Sequence, residues 1–429
     1  MDAAATFTWA PPEFNLSRQP ALAPWAGISE PFPHGDFPRS AKWCADGAAV
    51  LAQCEQRQFR LYSSDADTAR AVSQPGPILD YAWYPTASPA NPAAFCFVAS
   101  VRETPVKLLD ASDGRLRASY PIVDHRERQV APHCLAFNML GTRSCSSCLL
   151  YCGFEHAIEV FDIGRPGPGT RLPTSPSKKS RDGLKGIISA LAFSPSYDSD
   201  FYAAGSLAAT SGNIALFSGE EAVPTHYVDG GPAAGVTQLH FNPMRPHILY
   251  AAFRRRRALY SWDLRADTGT PLRVYASTPR GDDPHPSDTY QKRRFDVEIG
   301  GRFLGVGDQE GNVSIFDLSS EVDAAVDTTA KVPISTPCLT YKAHKDAIGG
   351  IAFHPTKPAL LSVSGSRHFD MDESGSSSSS EEDLEDLEGD ARSSGLRSVR
   401  HPTTRAAPLP RDASMKLWDL GVEFTMTDI

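Results

Sequence analysis

Seven times along the 429-residue chain, an aromatic or apolar residue beside a turn precedes an apolar run that often ends in aspartate. The pattern is clearest at residues 235–265, GVTQLHFNPMRPHILYAAFRRRRALYSWDLR. There Val236, Gln238 and His240 alternate with Thr237, Leu239 and Phe241, the period of two that a strand requires. Asn242-Pro243 ends that strand, because proline cannot donate to a ladder and biases the preceding residue towards extended backbone. Residues 248–253 read as a second strand, the arginine run as a tight turn, and residues 258–263 as a third strand.

The third strand closes on Trp262-Asp263, the dipeptide that marks one blade of a WD-repeat propeller. The turn marks are Trp43, Trp83, Phe137, Phe193, Phe241 and Phe353, with Val297 in the same slot. The strand marks are FRLY (59–62), VKLLD (106–110), IEVFD (158–162), IALFS (214–218), LYSWD (259–263), VSIFD (313–317) and MKLWD (415–419). Each turn mark precedes one strand mark, at spacings of about 40 to 56 residues. The order predicts an all-β, seven-bladed WD-repeat β-propeller with four strands per blade over residues 37–420. An extension (1–36) precedes it and a short tail (421–429) follows. Closing the ring needs one strand from the far end of the chain, and the candidates are residues 5–10 (ATFTWA) and the tail.

In the last blade His344, Ser364 and Trp418 match the histidine, serine and tryptophan of the hydrogen-bonded tetrad found inside many such blades. A network of that kind stiffens a blade because its buried polar groups satisfy one another. The tetrad's aspartate has no clear counterpart, since an insertion over residues 366–411 replaces its turn. That insertion is serine-rich and acidic, then basic, and is expected to be disordered because little in it can form a core. Its serines followed by acids read either as targets of acidophilic kinases or as part of a solvated spacer. Ten acidic residues between 370 and 390 account for the formal charge of -9, and the remainder sums to +1. A near-neutral body of this kind can carry basic patches.

No apolar run approaches the roughly 20 residues a bilayer needs, and the N-terminus lacks the basic-then-apolar order of a secretory signal. Neither a membrane nor a small-molecule substrate is expected as a partner. The eight cysteines then read as free thiols in a reducing compartment. Cys145, Cys148 and Cys152 with His156 resemble a zinc set, but Cys152 lies in the apolar LLYCGF strand and a second ligand pair is missing. No metal or cofactor is expected. No nucleophile elbow, phosphate-cradling loop, zinc helix or kinase signature appears, which points away from an enzyme.

Basic clusters are the sharper feature. Arg254, Arg255, Arg256 and Arg257 lie between two strands of one blade. Lys292, Arg293 and Arg294 precede Phe295, while Lys178, Lys179, Arg181 and Lys185 lie in the loop before another blade. Propeller loops converge on two faces, so such clusters can form one positive surface. Phe253, Tyr260 and Tyr290 beside them are candidates for stacking on the splayed bases of an RNA loop. Phe253 and Tyr260 read equally well as core. A different role is open to Trp262, Asp263 and Arg265, whose Trp-Asp-x-Arg ending resembles a contact by which some propellers dock on cullin-RING ubiquitin ligases.

Several longer phrases carry a resemblance to one family. AKWCADGAAVLAQCEQRQFRLY, ILDYAWYP, VASVRETPVKLLD, CGFEHAIEVFDIGRPG, GIISALAFSP and residues 230–265 are similar to the telomerase Cajal body protein family, over roughly residues 37–420. The resemblance implies a nuclear, non-enzymatic role. Such a protein would bind small Cajal-body RNA or telomerase RNA and bring the ribonucleoprotein to nuclear bodies or protein partners. A splicing-associated relative, a ligase receptor and a plain protein scaffold are the alternative readings.

Overall fold

The computed structural model of the protein describes residues 10–25, 28, 31–63, 69–138, 148–177, 180, 182–196, 201–219, 223–277, 289–319, 332–369 and 409–421. They form seven sheets around an axis, antiparallel except where Ile334–Ser335 joins Arg273–Tyr275 in parallel, with no α-helix among the described residues. The innermost strands are Pro38–Trp43, Ile78–Trp83, Cys134–Phe137, Ile188–Phe193, Val236–Phe241, Asp296–Val297 and Ile348–Phe353. Each ends on the turn mark read from the sequence. The strand marks form the third strand of every blade, as in Leu259–Asp263 and Ser414–Asp419. The protein is therefore the seven-bladed propeller that the repeat pattern predicts.

The marks do their work between blades. Trp83 Nε1 donates to Lys42 O of the preceding blade at 3.0 Å, and Trp43 Nε1 to Ala352 O of blade 7 at 3.3 Å. Apolar clusters fill each blade-to-blade junction, as where Phe59 packs edge-on to Tyr81 and Phe97. Inner strands run from one face of the disc, and each second strand returns to it. Turns between second and third strands therefore share a face with the inner-strand starts. In six of these turns one residue has left-handed backbone: Arg57, Glu103, His156, Gly212, Arg255 and Gly311.

The extension over residues 1–36 does supply the closing strand, but at a different stretch from residues 5–10. The strand beside Ser414–Asp419 is Ala21–Leu22, with Ala21 opposite Asp419 and Leu22 opposite Trp418. Residues 5–9 and 422–429 lie outside the described residues. Two residues suffice because the segment around them is anchored by packing. Phe14 meets Phe303 and Phe353 edge-on, Trp25 stacks on Trp43 at 5.3 Å, and Asn15 N donates to Leu420 O.

The blade 7 network also corrects two readings. Ser362, not Ser364, is the tetrad serine: its hydroxyl accepts from Trp418 Nε1 at 2.8 Å and lies 2.7 Å from His344 Nε2. The two serines sit two apart on one strand, so both point to the same side and spacing cannot choose between them. Ser364 lies one step further along and donates to Asp346 O instead. The aspartate is Asp412, beyond the insertion: Ser414 Oγ donates to it at 2.5 Å and His344 Nδ1 lies 3.6 Å away.

Candidate nucleic-acid interface

The residues joining blade 5 to blade 6, 289–295, run over the mouth of the central channel and touch several blades on the way. Phe295 is buried and locked to blade 5 by a reciprocal pair: Gln238 Nε2 donates to Phe295 O at 2.7 Å, and Phe295 N to Gln238 Oε1 at 3.0 Å. Arg294 N donates to Gly349 O of blade 7. Gly349 is required there, since a Cβ would stand 2.3 Å from Arg39 O of blade 1. The Arg294 guanidinium crosses the channel to Asp80 of blade 2 at 3.3 Å. Gln291 Nε2 reaches Gly365 O at 2.8 Å.

This path brings two of the sequence-predicted clusters together. Arg293 donates to Arg256 O at 2.7 Å and to Gly307 O at 3.2 Å, tying the connector to the arginine turn. Tyr290 stands 62% exposed at that turn. The guanidiniums of Arg254 and Arg255 lie 4.5 and 4.9 Å from its ring centroid, and Arg255 donates to Tyr290 Oη at 3.3 Å. With two guanidiniums over an exposed ring, the turn gathers planar groups and charge at one point.

The other members of the clusters do different things. Arg257 pairs with Glu310 at 3.3 Å. Arg294 is spent on Asp80, which a strut across the channel explains better than an outward contact. Phe253 is core, and Tyr260 packs edge-on to it at 5.5 Å, so neither offers a free ring face. Lys292 has no hydrogen bond or ion pair among the described residues; burial at the channel mouth, with Arg294 close by, lowers its ammonium pKa to about 8. Lys178, Lys179 and Arg181 lie outside the described residues, and Lys185 is half-buried with its carbonyl accepting from Ser206 Oγ.

Trp262 is buried, its Nε1 donating to Asp229 O at 2.9 Å. Arg265 forks onto Asp263 at 3.0 and 2.8 Å, and those hydrogen bonds hold the Asp263 carboxyl below the usual range. Cys152 is fully buried, and burial drives its thiol pKa well above the ordinary value. Among the described residues no group of three His, Cys, Asp or Glu could hold a metal ion.

The channel itself encloses about 460 Å³ lined by the inner strands. Among its lining residues His240 stands 3.7 Å from Asp296, and Lys42 stands 3.7 Å from Asp80. Burial raises the Asp296 pKa to about 6. The carboxylate accepts from Phe353 N at 2.7 Å and Val297 N at 2.9 Å, which makes it a staple between blades 6 and 7.

Sequence reasoning missed Arg39, Arg57 and Arg367, which gather on the same face from three separate stretches. They stand singly in the sequence, and only their placement at an inner-strand start, a turn and the stem of the insertion signals them.

No family model matches the chain. Curated relatives do. Telomerase Cajal body protein 1 of Mus musculus is 31% identical over 78% of this chain and 60% of its own length. The protein of that name from Bos taurus is 31% identical over 86% of this chain and 66% of its own length. Guanine nucleotide-binding protein negative regulator 1 of Schizosaccharomyces pombe is 26% identical over 71% of this chain and 79% of its own length. The chain thus spans about 60% of the length of the rodent and human relatives. With the propeller and these relatives together, the chain belongs to the telomerase Cajal body protein family.

Proposed function

We propose that this propeller binds the single-stranded loop of a small nuclear RNA, of the small Cajal-body or telomerase RNA kind. It then brings that ribonucleoprotein to nuclear bodies or assembly partners in the nucleus, without catalysing a reaction. The observation that carries the reading is Tyr290 with Arg254 and Arg255: an exposed ring with two guanidiniums over it at the rim of the propeller. Unpaired bases can stack there, while phosphates are drawn by the arginines. The relatives' names supply the kind of particle. The ligase-receptor reading has less to stand on, because Trp262 is core and Arg265 is committed to Asp263.

Crosslinking the protein to RNA in its own cells and sequencing what is recovered tests this. Enrichment of loop-bearing small nuclear RNAs is the expected result, and their identity separates telomerase from splicing. Recovery of no RNA above background would overturn the reading and leave a protein scaffold.

A further inference from the structure

We infer that a second phosphate seat lies on the same face, in the cavity where Arg39, Arg57 and Arg367 converge beside Glu55, and that it holds the backbone of the bound RNA. The inference rests on the RNA reading for the source of the phosphate, not for the seat itself.

The cavity, of about 300 Å³, opens between blades 7, 1 and 2. Arg39 starts the inner strand of blade 1, Arg57 lies in that blade's turn, and Arg367 belongs to the stem of the blade 7 insertion. Arg367 is held in place from both sides: Ser366 Oγ donates to Asp346 at 2.7 Å, and His368 Nε2 lies 2.9 Å from the same carboxylate. Two guanidiniums share one acid. Arg367 bonds to Glu55 Oε1 at 2.6 and 2.5 Å, and Arg39 lies 3.6 Å from Oε2. The Arg57 guanidinium has no hydrogen bond or ion pair among the described residues.

Three cations with one carboxylate leave the seat positive, and the crowding works against the fold. Burial lowers the Arg39 pKa, Glu55 offsets part of that, and Arg367 lowers it further. Arg57 also carries a φ of 60°, left-handed backbone that is disfavoured for a non-glycine residue. The same turn position is left-handed in blades 2 to 6, where Glu103, His156, Gly212, Arg255 and Gly311 occupy it, so this backbone belongs to the blade turn and not to the seat. An unpaired arginine beside two arginines that share one carboxylate is what a site awaiting an anion looks like. A planar guanidinium fork matches phosphate oxygens in pairs. Lys292, two residues along the chain from Tyr290, is within electrostatic reach of Arg39. A strand laid across the mouth would thus meet stacking surface at one side and phosphate donors at the other.

The test uses the full chain with Arg57→Asn, a side chain that tolerates left-handed backbone. Binding to a single-stranded RNA is measured across salt, and melting is measured with and without inorganic phosphate. The variant is expected to bind RNA about tenfold more weakly at low salt, with a salt slope shallower by about 0.7. It should also lose the phosphate-induced rise in melting temperature expected of the wild type. Unchanged RNA affinity and slope overturn the inference, even if the phosphate response is lost, since the seat would then serve a different phosphate. If the wild type itself binds no RNA, the failure lies with the function proposed above.

Discussion

Blade 7 and the rim between blades 5 and 6 use similar side chains to opposite ends. In blade 7 an indole, an imidazole, two hydroxyls and a carboxylate close on one another: Trp418, His344, Ser362, Ser414 and Asp412. A neutral imidazole carrying its proton on Nδ1 satisfies them all. At the rim a phenol ring and two guanidiniums also meet, but Tyr290 stays exposed and Arg254 and Arg255 face solvent with it. Polar groups that satisfy one another inside a blade stiffen it; groups gathered at a rim without full burial remain available to a partner. Aromatic and polar composition alone does not separate the two cases.

The largest expected effect breaks the buried side of that contrast. Trp418→Ala removes a buried indole and leaves Ser362 without its donor, and should cost about 3–5 kcal/mol. A melting temperature equal to wild type would remove Trp418 from the core.

Next comes acid stability. Below the Trp43 ring, His354 Nδ1 accepts from Thr356 N and Lys357 N at 3.1 Å each, so protonation there meets two donors. Burial, with Lys357 adding to it, lowers its pKa from 6.5 to about 4. A depressed folded-state pKa means the contribution is present above pH 6.5 and is lost as pH falls towards 4, by about 3 kcal/mol. Asp296 acts with the opposite sign. Its raised pKa makes its contribution complete below 3.8 and lost as pH rises through about 6. Denaturant melts of wild type and His354→Gln between pH 4 and 7.5 separate the two. The variant should be less stable near neutrality and lose less on acidification. Parallel pH profiles would show that His354 does not titrate as proposed.

The exposed side gives smaller effects, with stability unchanged. Replacing Arg254 and Arg255 with alanine should flatten the salt dependence of RNA binding by about 1.4 in slope. Tyr290→Ala should weaken binding by about 1–3 kcal/mol with nearly the same slope, because stacking is not a counterion effect. If the tyrosine variant changes the slope and the arginine variant does not, the roles assigned at the rim are reversed.

The order of marks along the chain was enough for blade number, the inner-strand ends and the third strands, because each blade repeats one local pattern of alternation and turn chemistry. Even the blade lacking an aromatic mark was legible through Val297, which ends its inner strand. What depended on distant partners was not. Ser362 and Ser364 differ only in register against Ser414–Asp419, and Asp412 reaches His344 from across an insertion. Closure by Ala21–Leu22 depends on Phe14 and Trp25 finding blades 6, 7 and 1, contacts with no local signature. The same holds for the interface. Arginine runs announce charge, but whether a guanidinium faces solvent, spans the channel or pairs with an acid is decided by what the fold sets opposite it. Arg255, Arg294 and Arg257 show those three outcomes within one rim.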